Sequence, residues 1–134
     1  MAVAKSHSAK QHTPSILIID DQSAVHDVLT GILDGAGFES ESLHRGDEAL
    51  ERYKSKRFDL VLTDLTMQPM DGLTLLSEIK KFDPQARVVV MTGRDSEIDM
   101  QKARDLGAEA CVQKPFRITD LVDLLAKVFR RDSS

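Results

Sequence analysis

Short apolar runs alternate with amphipathic stretches five times along residues 15–130, and this rhythm limits the chain to very few folds. Ile16-Leu17-Ile18-Ile19 is a continuous apolar run ended by Asp20-Asp21, the pattern of a strand buried on both faces. Ser23 then stands where a helix N-cap is expected. Val25, Val28, Leu29, Ile32, Leu33 and Ala36 follow at helical spacing until Gly35 and Gly37 stop the helix. Residues 38–43 form a polar strand suited to a sheet edge, and residues 46–56 a second helix with Ala49, Leu50 and Tyr53 inward.

The rhythm then repeats. Leu60-Val61-Leu62 leads to Asp64, and residues 72–82 form a helix on Leu73, Leu75, Leu76 and Ile79. Residues 87–91, with Val88-Val89-Val90, lead to Thr92, and a helix over 95–106 is closed by Gly107. A short strand at 110–113 ends at Lys114-Pro115, and residues 121–129 make a last helix on Leu121, Leu124, Leu125 and Val128. Five strands and five helices in strict alternation predict an α/β fold: a doubly wound five-stranded parallel sheet, with helices on both faces and right-handed crossovers.

The 134 residues make one domain. Residues 1–14 are expected to be a flexible N-terminal tail, 15–131 the folded domain and 132–134 a short tail. A net charge of −4 gives no basic surface for nucleic acid. The single cysteine, Cys111, excludes an intrachain disulfide and a cysteine-based zinc site. No apolar run approaches the ~20 residues that span a bilayer, and the N-terminus lacks the apolar stretch of a secretory signal. The expectation is a cytoplasmic chain with no membrane contact.

In open sheets of this kind, ligands bind beyond the carboxyl ends of the strands. Those positions hold Asp20 and Asp21 after the first strand, Asp64 after the third, Thr92 after the fourth and Lys114 after the fifth. Three carboxylates converging on one point repel unless a cation or proton offsets them. Mg2+ suits such a site, being a hard ion content with a few carboxylates, waters and a phosphoryl group. A neighbouring ammonium and hydroxyl can complete the neutralisation of a transferred phosphoryl. The chemistry suggested is phosphoryl transfer to a carboxylate. Asp20-Asp21-Gln22-Ser23 would repel the pyrophosphate that a glycine-rich turn accepts in dinucleotide folds, or the phosphate a flavodoxin binds there. Haloacid dehalogenase phosphatases place a second Asp two residues after the nucleophile; here that position is Gln22.

The set of motifs resembles the receiver domains of two-component response regulators, such as the chemotaxis receivers. Asp20-Asp21, the DLVLTD strand ending in Asp64, the M-x-x-M-D-G run at 67–72, Thr92-Gly93 and Lys114-Pro115-Phe116 match in order and spacing. The resemblance covers residues 15–130. It implies a flavodoxin-like sheet of order 2-1-3-4-5, with Asp64 as phosphoacceptor. It implies that Asp20, Asp21, Asp64 and the backbone carbonyl of Thr66 bind Mg2+. Thr92 becomes a switch hydroxyl, and Lys114, followed by a cis bond to Pro115, pairs with a phosphoryl oxygen. Gly93 fits a place where a bulky side chain would obstruct the phosphoryl group. The implied partners are a sensor histidine kinase or phosphotransfer protein, a downstream protein effector and a second copy of the chain; nucleic acid and membrane are not among them. The implied chemistry is a self-catalysed phosphorylation and dephosphorylation that sets a signalling switch.

Two positions depart from the family pattern. Cys111 stands where the family usually has Tyr or Phe, and is read as a small buried hydrophobe. The loop proline comes one residue late, as Gln68-Pro69. His26 and His44 are expected to be solvated or partner-facing. The alternative reading of the whole chain is a receiver-fold adaptor that acts through protein contacts without phosphorylation. The 134 residues contain no effector domain, which suits either a stand-alone receiver or one excised from a longer regulator.

Overall fold

The computed structural model describes residues 13–65, 70–93, 97–114 and 116–133, leaving out the side chains of 23–25, 118 and 130–133. The elements run β1 (Ser15–Ile19), α1 (Ser23–Gly35), β2 (Glu39–Leu43), α2 (Gly46–Ser55), β3 (Leu60–Asp64), α3 (Gly72–Phe82), β4 (Val88–Thr92), α4 (Glu97–Asp105), β5 (Ala110–Gln113) and α5 (Ile118–Ser133). The strands form one sheet of order β2-β1-β3-β4-β5, with every neighbouring pair parallel. This is the expected doubly wound architecture.

Every residue of β1, β3 and β4 is buried, because side chains alternate between two covered faces. Ile16, Ile18, Leu60, Leu62, Val89 and Met91 pack on Leu29 and Leu33 of α1 and on Leu121, Leu125 and Val128 of α5. Leu17, Ile19, Val61, Val88 and Val90 face the opposite way, onto Leu50 and Tyr53 of α2, Leu75, Leu76 and Ile79 of α3, and Ala103 of α4. The polar strand β2 lies at an edge and is only partly buried. The helix ends at Gly37 and Gly107 also hold: both have positive φ, 92° and 102°, which only glycine adopts without strain.

Several local expectations are corrected. Gln22, not Ser23, is the N-cap of α1, with extended backbone and no side-chain cap bond; its N–H instead donates to Asp20 Oδ1 at 2.9 Å. Val28 is 57% exposed and Ala36 is also exposed, so the inward stripe of α1 is narrower than its spacing suggested. The last helix starts at Ile118 and runs to Ser133. Its first turn sets Ile118 before the polar Thr119 and Asp120, and the Leu121 N–H already bonds the Arg117 carbonyl, so a reading keyed to the Leu121 stripe begins too late. Strand β2 starts one residue later than expected and α2 ends one earlier. The start expected at 95 for α4 and most of the N-terminal tail lie outside the described residues. No described helix is long and apolar enough to cross a membrane.

Candidate functional site

Parallel register puts the ends of β1, β3, β4 and β5 side by side. Ile19 pairs with Thr63, Asp64 with Met91, and Thr92 with Gln113. Asp20 and Lys114 are each one residue past a strand. One carboxylate oxygen from each of Asp20, Asp21 and Asp64 therefore lies within 4.8 Å of the others. Asp20 and Asp64 are buried, whereas Asp21 is exposed. Thr92 is buried beside them on the next strand.

Lys114 reaches back over this cluster. Its backbone N–H bonds the Thr92 carbonyl at 2.7 Å. Its Nζ donates to Asp20 Oδ2 at 2.7 Å and to Asp64 Oδ2 at 3.4 Å. Burial disfavours the Lys114 ammonium, but the Asp20 hydrogen bond and the Asp64 charge outweigh it and hold its pKa above the usual lysine value. Among the described residues, one cation thus bonds within a cluster of three carboxylates, and the surplus there is negative. Three carboxylate oxygens this close together resemble a metal-binding site, and hard oxygen donors of this kind suit a divalent cation.

The site also depends on a close approach that the motif alone did not explain. Asp71 caps α3 by accepting the Thr74 N–H at 2.8 Å, and the Gly72 N–H bonds the Leu65 carbonyl at 2.9 Å. A Cβ on Gly72 would stand 2.3 Å from the Asp64 carbonyl oxygen and 2.7 Å from Leu65 Cα. These are backbone atoms of the Asp64–Leu65 peptide, which cannot swing aside as a flexible side chain could. Gly72→Ala is therefore expected to cost about 1–3 kcal/mol, as overpacked sites do, and to displace Asp64. Chemical denaturation measures the first effect; amide shifts at Asp64 and Leu65 report the second. A variant with wild-type stability would contradict the packing argument.

Other expectations meet mixed outcomes. His26 is buried, not solvated: its Nε2 bonds the Asp20 carbonyl, and its ring centroid lies 4.4 Å from that of His44. Its place at the edge of the α1 stripe gave no signal of this contact, which depends on how the chain turns at Asp20. Cys111 is half-buried against the core, its Sγ 3.7 Å from the Met100 carbonyl, and burial pushes the thiol pKa up. It behaves as a small hydrophobe. A Cβ on Gly93 would meet no heavy atom within 4 Å, so packing does not demand glycine there. Thr66, Pro115 and the Gln68-Pro69 step lie outside the described residues.

The acidic cluster, with a lysine bridged across it, lies at the carboxyl ends of the strands, where doubly wound α/β sheets bind their ligands. Residues 16–126 match the response regulator receiver domain family, and the chain belongs to it. It is 34% identical over 114 residues to the chemotaxis protein CheY of Thermotoga maritima, covering 84% of this chain and 95% of that one. It is 32% identical over 119 residues to the CpxR homolog, a transcriptional regulatory protein of Haemophilus influenzae; that match covers 89% of this chain but 52% of the longer regulator. The crystal structure of a CheX-CheY complex with BeF3 and Mg2+ from Borrelia burgdorferi superposes with a TM-score of 0.82 at 32% identity, over 87% of this chain and 89% of that one. The protein is thus a signalling switch set by phosphorylation of an aspartate in its own acidic cluster.

Proposed function

We propose that Asp64 accepts the phosphoryl group of a phosphohistidine on a sensor kinase or phosphotransfer protein, and that Asp20, Asp21 and Asp64 hold Mg2+ for the reaction, joined by the Thr66 backbone carbonyl. The observation that carries this reading is the bridging Lys114, whose Nζ touches Asp20 and Asp64 together. It neutralises the cluster only in part and stands where an incoming phosphoryl oxygen needs a donor. A carboxylate oxygen of Asp64 attacks phosphorus, the phosphorus–nitrogen bond breaks with its electron pair going to nitrogen, and the imidazole leaves neutral because its other ring nitrogen already carries a proton. Bound Mg2+ supplies positive charge to the phosphoryl oxygens during transfer. Lys114 then exchanges its contact with Asp64 for one with the phosphoryl group. The Thr92 hydroxyl moves in to donate to another oxygen, coupling the site to the output surface and thereby to an effector or a second copy of the chain.

Asp21 separates the metal role from the acceptor role. It belongs to the cluster but accepts no bond from Lys114 among the described contacts, so its charge is the one the lysine does not directly meet. Asp21→Ala is expected to lower Mg2+ affinity about tenfold or more while apo stability holds or rises, since clustered like charges are relieved. Calorimetric Mg2+ titration and thermal unfolding without metal check the two effects. An apo midpoint clearly below wild type would contradict the repulsion argument. The test of the function itself is labelling by a small acyl phosphate with and without Mg2+. Metal-dependent label supports the proposal, and no label under either condition favours the adaptor reading.

A further inference from the structure

Asp20 is fully buried, and all four of its polar atoms are held. Its N–H donates to the Leu43 carbonyl at 3.2 Å, Oδ1 accepts the Gln22 N–H at 2.9 Å, and Oδ2 accepts Lys114 at 2.7 Å. The fourth, its backbone carbonyl, is bonded by His26 Nε2 from the first turn of α1. Leu43 ends β2, Gln22 lies in the turn itself and Lys114 directly follows β5. Among the described residues, His26 is the partner that ties the Asp20–Asp21 peptide to a helix.

The carbonyl only accepts, so Nε2 carries the hydrogen. His26 Nδ1 is buried without a hydrogen-bond partner among the described residues. A bare ring nitrogen there costs less than an unsatisfied N–H, which agrees with that assignment. The ring of His44, the residue after β2, lies against His26 at 47°. Leu43, beside it, is the acceptor for the Asp20 N–H. His26 therefore holds Asp20 from α1 and Leu43 holds it from the end of β2, with the His44 ring packed on His26. Fixing the Asp20 carbonyl fixes the plane of the peptide that leads to Asp21, and so the direction in which the Asp21 carboxylate leaves the chain.

We propose that His26 is a positioning residue for the acidic cluster, its Nε2–H setting the Asp20–Asp21 peptide so that both carboxylates meet one cation. This inference rests on the reading that these aspartates hold Mg2+. Groups that orient metal ligands from behind are worth about tenfold or more in affinity. Replacing His26 by an apolar side chain is thus expected to weaken Mg2+ binding about tenfold, with Lys114 and all three carboxylates still present.

The test uses the whole chain as wild type, His26→Leu and His26→Gln, each titrated with Mg2+ and followed at the amide resonances of Asp20, Asp21 and Gln22. His26→Leu should bind about tenfold more weakly, and His26→Gln, which keeps an N–H donor, should recover most of the loss. A folded His26→Leu with wild-type affinity, or a His26→Gln no better than the leucine variant, overturns the proposal. Ring 15N shifts of wild-type His26 give a readout that mere packing does not move. A hydrogen on Nε2 supports the bond to Asp20, and a bare Nε2 overturns it even if His26→Leu fails to fold. Wild-type chain that binds no Mg2+ at all would sink the metal reading instead, a result distinct from each of these.

Discussion

Asp64→Asn is expected to lower Mg2+-dependent phosphorylation by about a thousandfold or more while leaving the fold intact. The three carboxylates of the cluster are not equivalent. Asp20 is fully buried, with Oδ1 committed to the Gln22 N–H and Oδ2 to Lys114, so either oxygen could attack phosphorus only at the expense of a bond it already makes. Asp21 lies on the exposed side of the turn. Asp64 ends the central strand β3, and its contact with Lys114 is the longer of the two, at 3.4 Å. Asn preserves its size and its place in the register while removing the charge and the nucleophilic oxygen. Loss of a nucleophile typically costs many orders of magnitude. Stability without metal should hold or rise, because one of three crowded charges is gone. Radiolabelled phosphodonor and thermal unfolding, run on the same preparation, check both halves. Wild-type labelling in Asp64→Asn would mean that another carboxylate is the acceptor.

Lys114→Met should destabilise the metal-free protein by about 3 kcal/mol and lose much of that penalty in saturating Mg2+. Removing one partner of a buried ion pair leaves the other charge uncompensated, at about 3–5 kcal/mol. Asp20 is left in that position, with no exposed surface through which water could replace the ammonium. The lower end of the range applies because the Lys114 side chain is itself 19% exposed. A bound cation replaces part of the missing charge and stabilises the folded state by mass action. Methionine keeps the aliphatic stem but no donor, so phosphorylation should no longer move the output surface even where Asp64 is still labelled. The raised pKa of Lys114 also gives a pH sign: its contribution is complete below about pH 10 and is lost as pH rises through the folded-state value. Denaturant melts with and without Mg2+ measure the difference. Equal destabilisation in both conditions would contradict the electrostatic account.

The fold was legible where physics writes a strong pattern. Strands β1, β3 and β4 are covered on both faces, which forces continuous runs such as Ile16-Leu17-Ile18-Ile19 and Val88-Val89-Val90. Strand β2 sits at an edge, and its Glu39-Ser40-Glu41-Ser42 run is correspondingly faint. Helix α5 starts three residues before the Leu121 stripe because Thr119 and Asp120 separate Ile118 from it and hide the apolar period. Within the site, the strand-end residues were visible because topology alone gathers them. The burial of His26 and the crowding around Gly72 were not, since both depend on how loops approach strand ends rather than on any repeat along the chain. Lys114 was expected to meet a phosphoryl oxygen. Before phosphorylation it is held by Asp20 and Asp64 instead, so the incoming group must compete with a formed ion pair.

Mass spectrometry of the wild-type chain after brief exposure to a small acyl phosphate tests the central claim most directly. The account predicts one added phosphoryl group, only when Mg2+ is present, on the peptide containing Asp64 and lost on mild acid or base treatment. A label on a peptide lacking Asp64, or one that forms equally well in chelator, would contradict it.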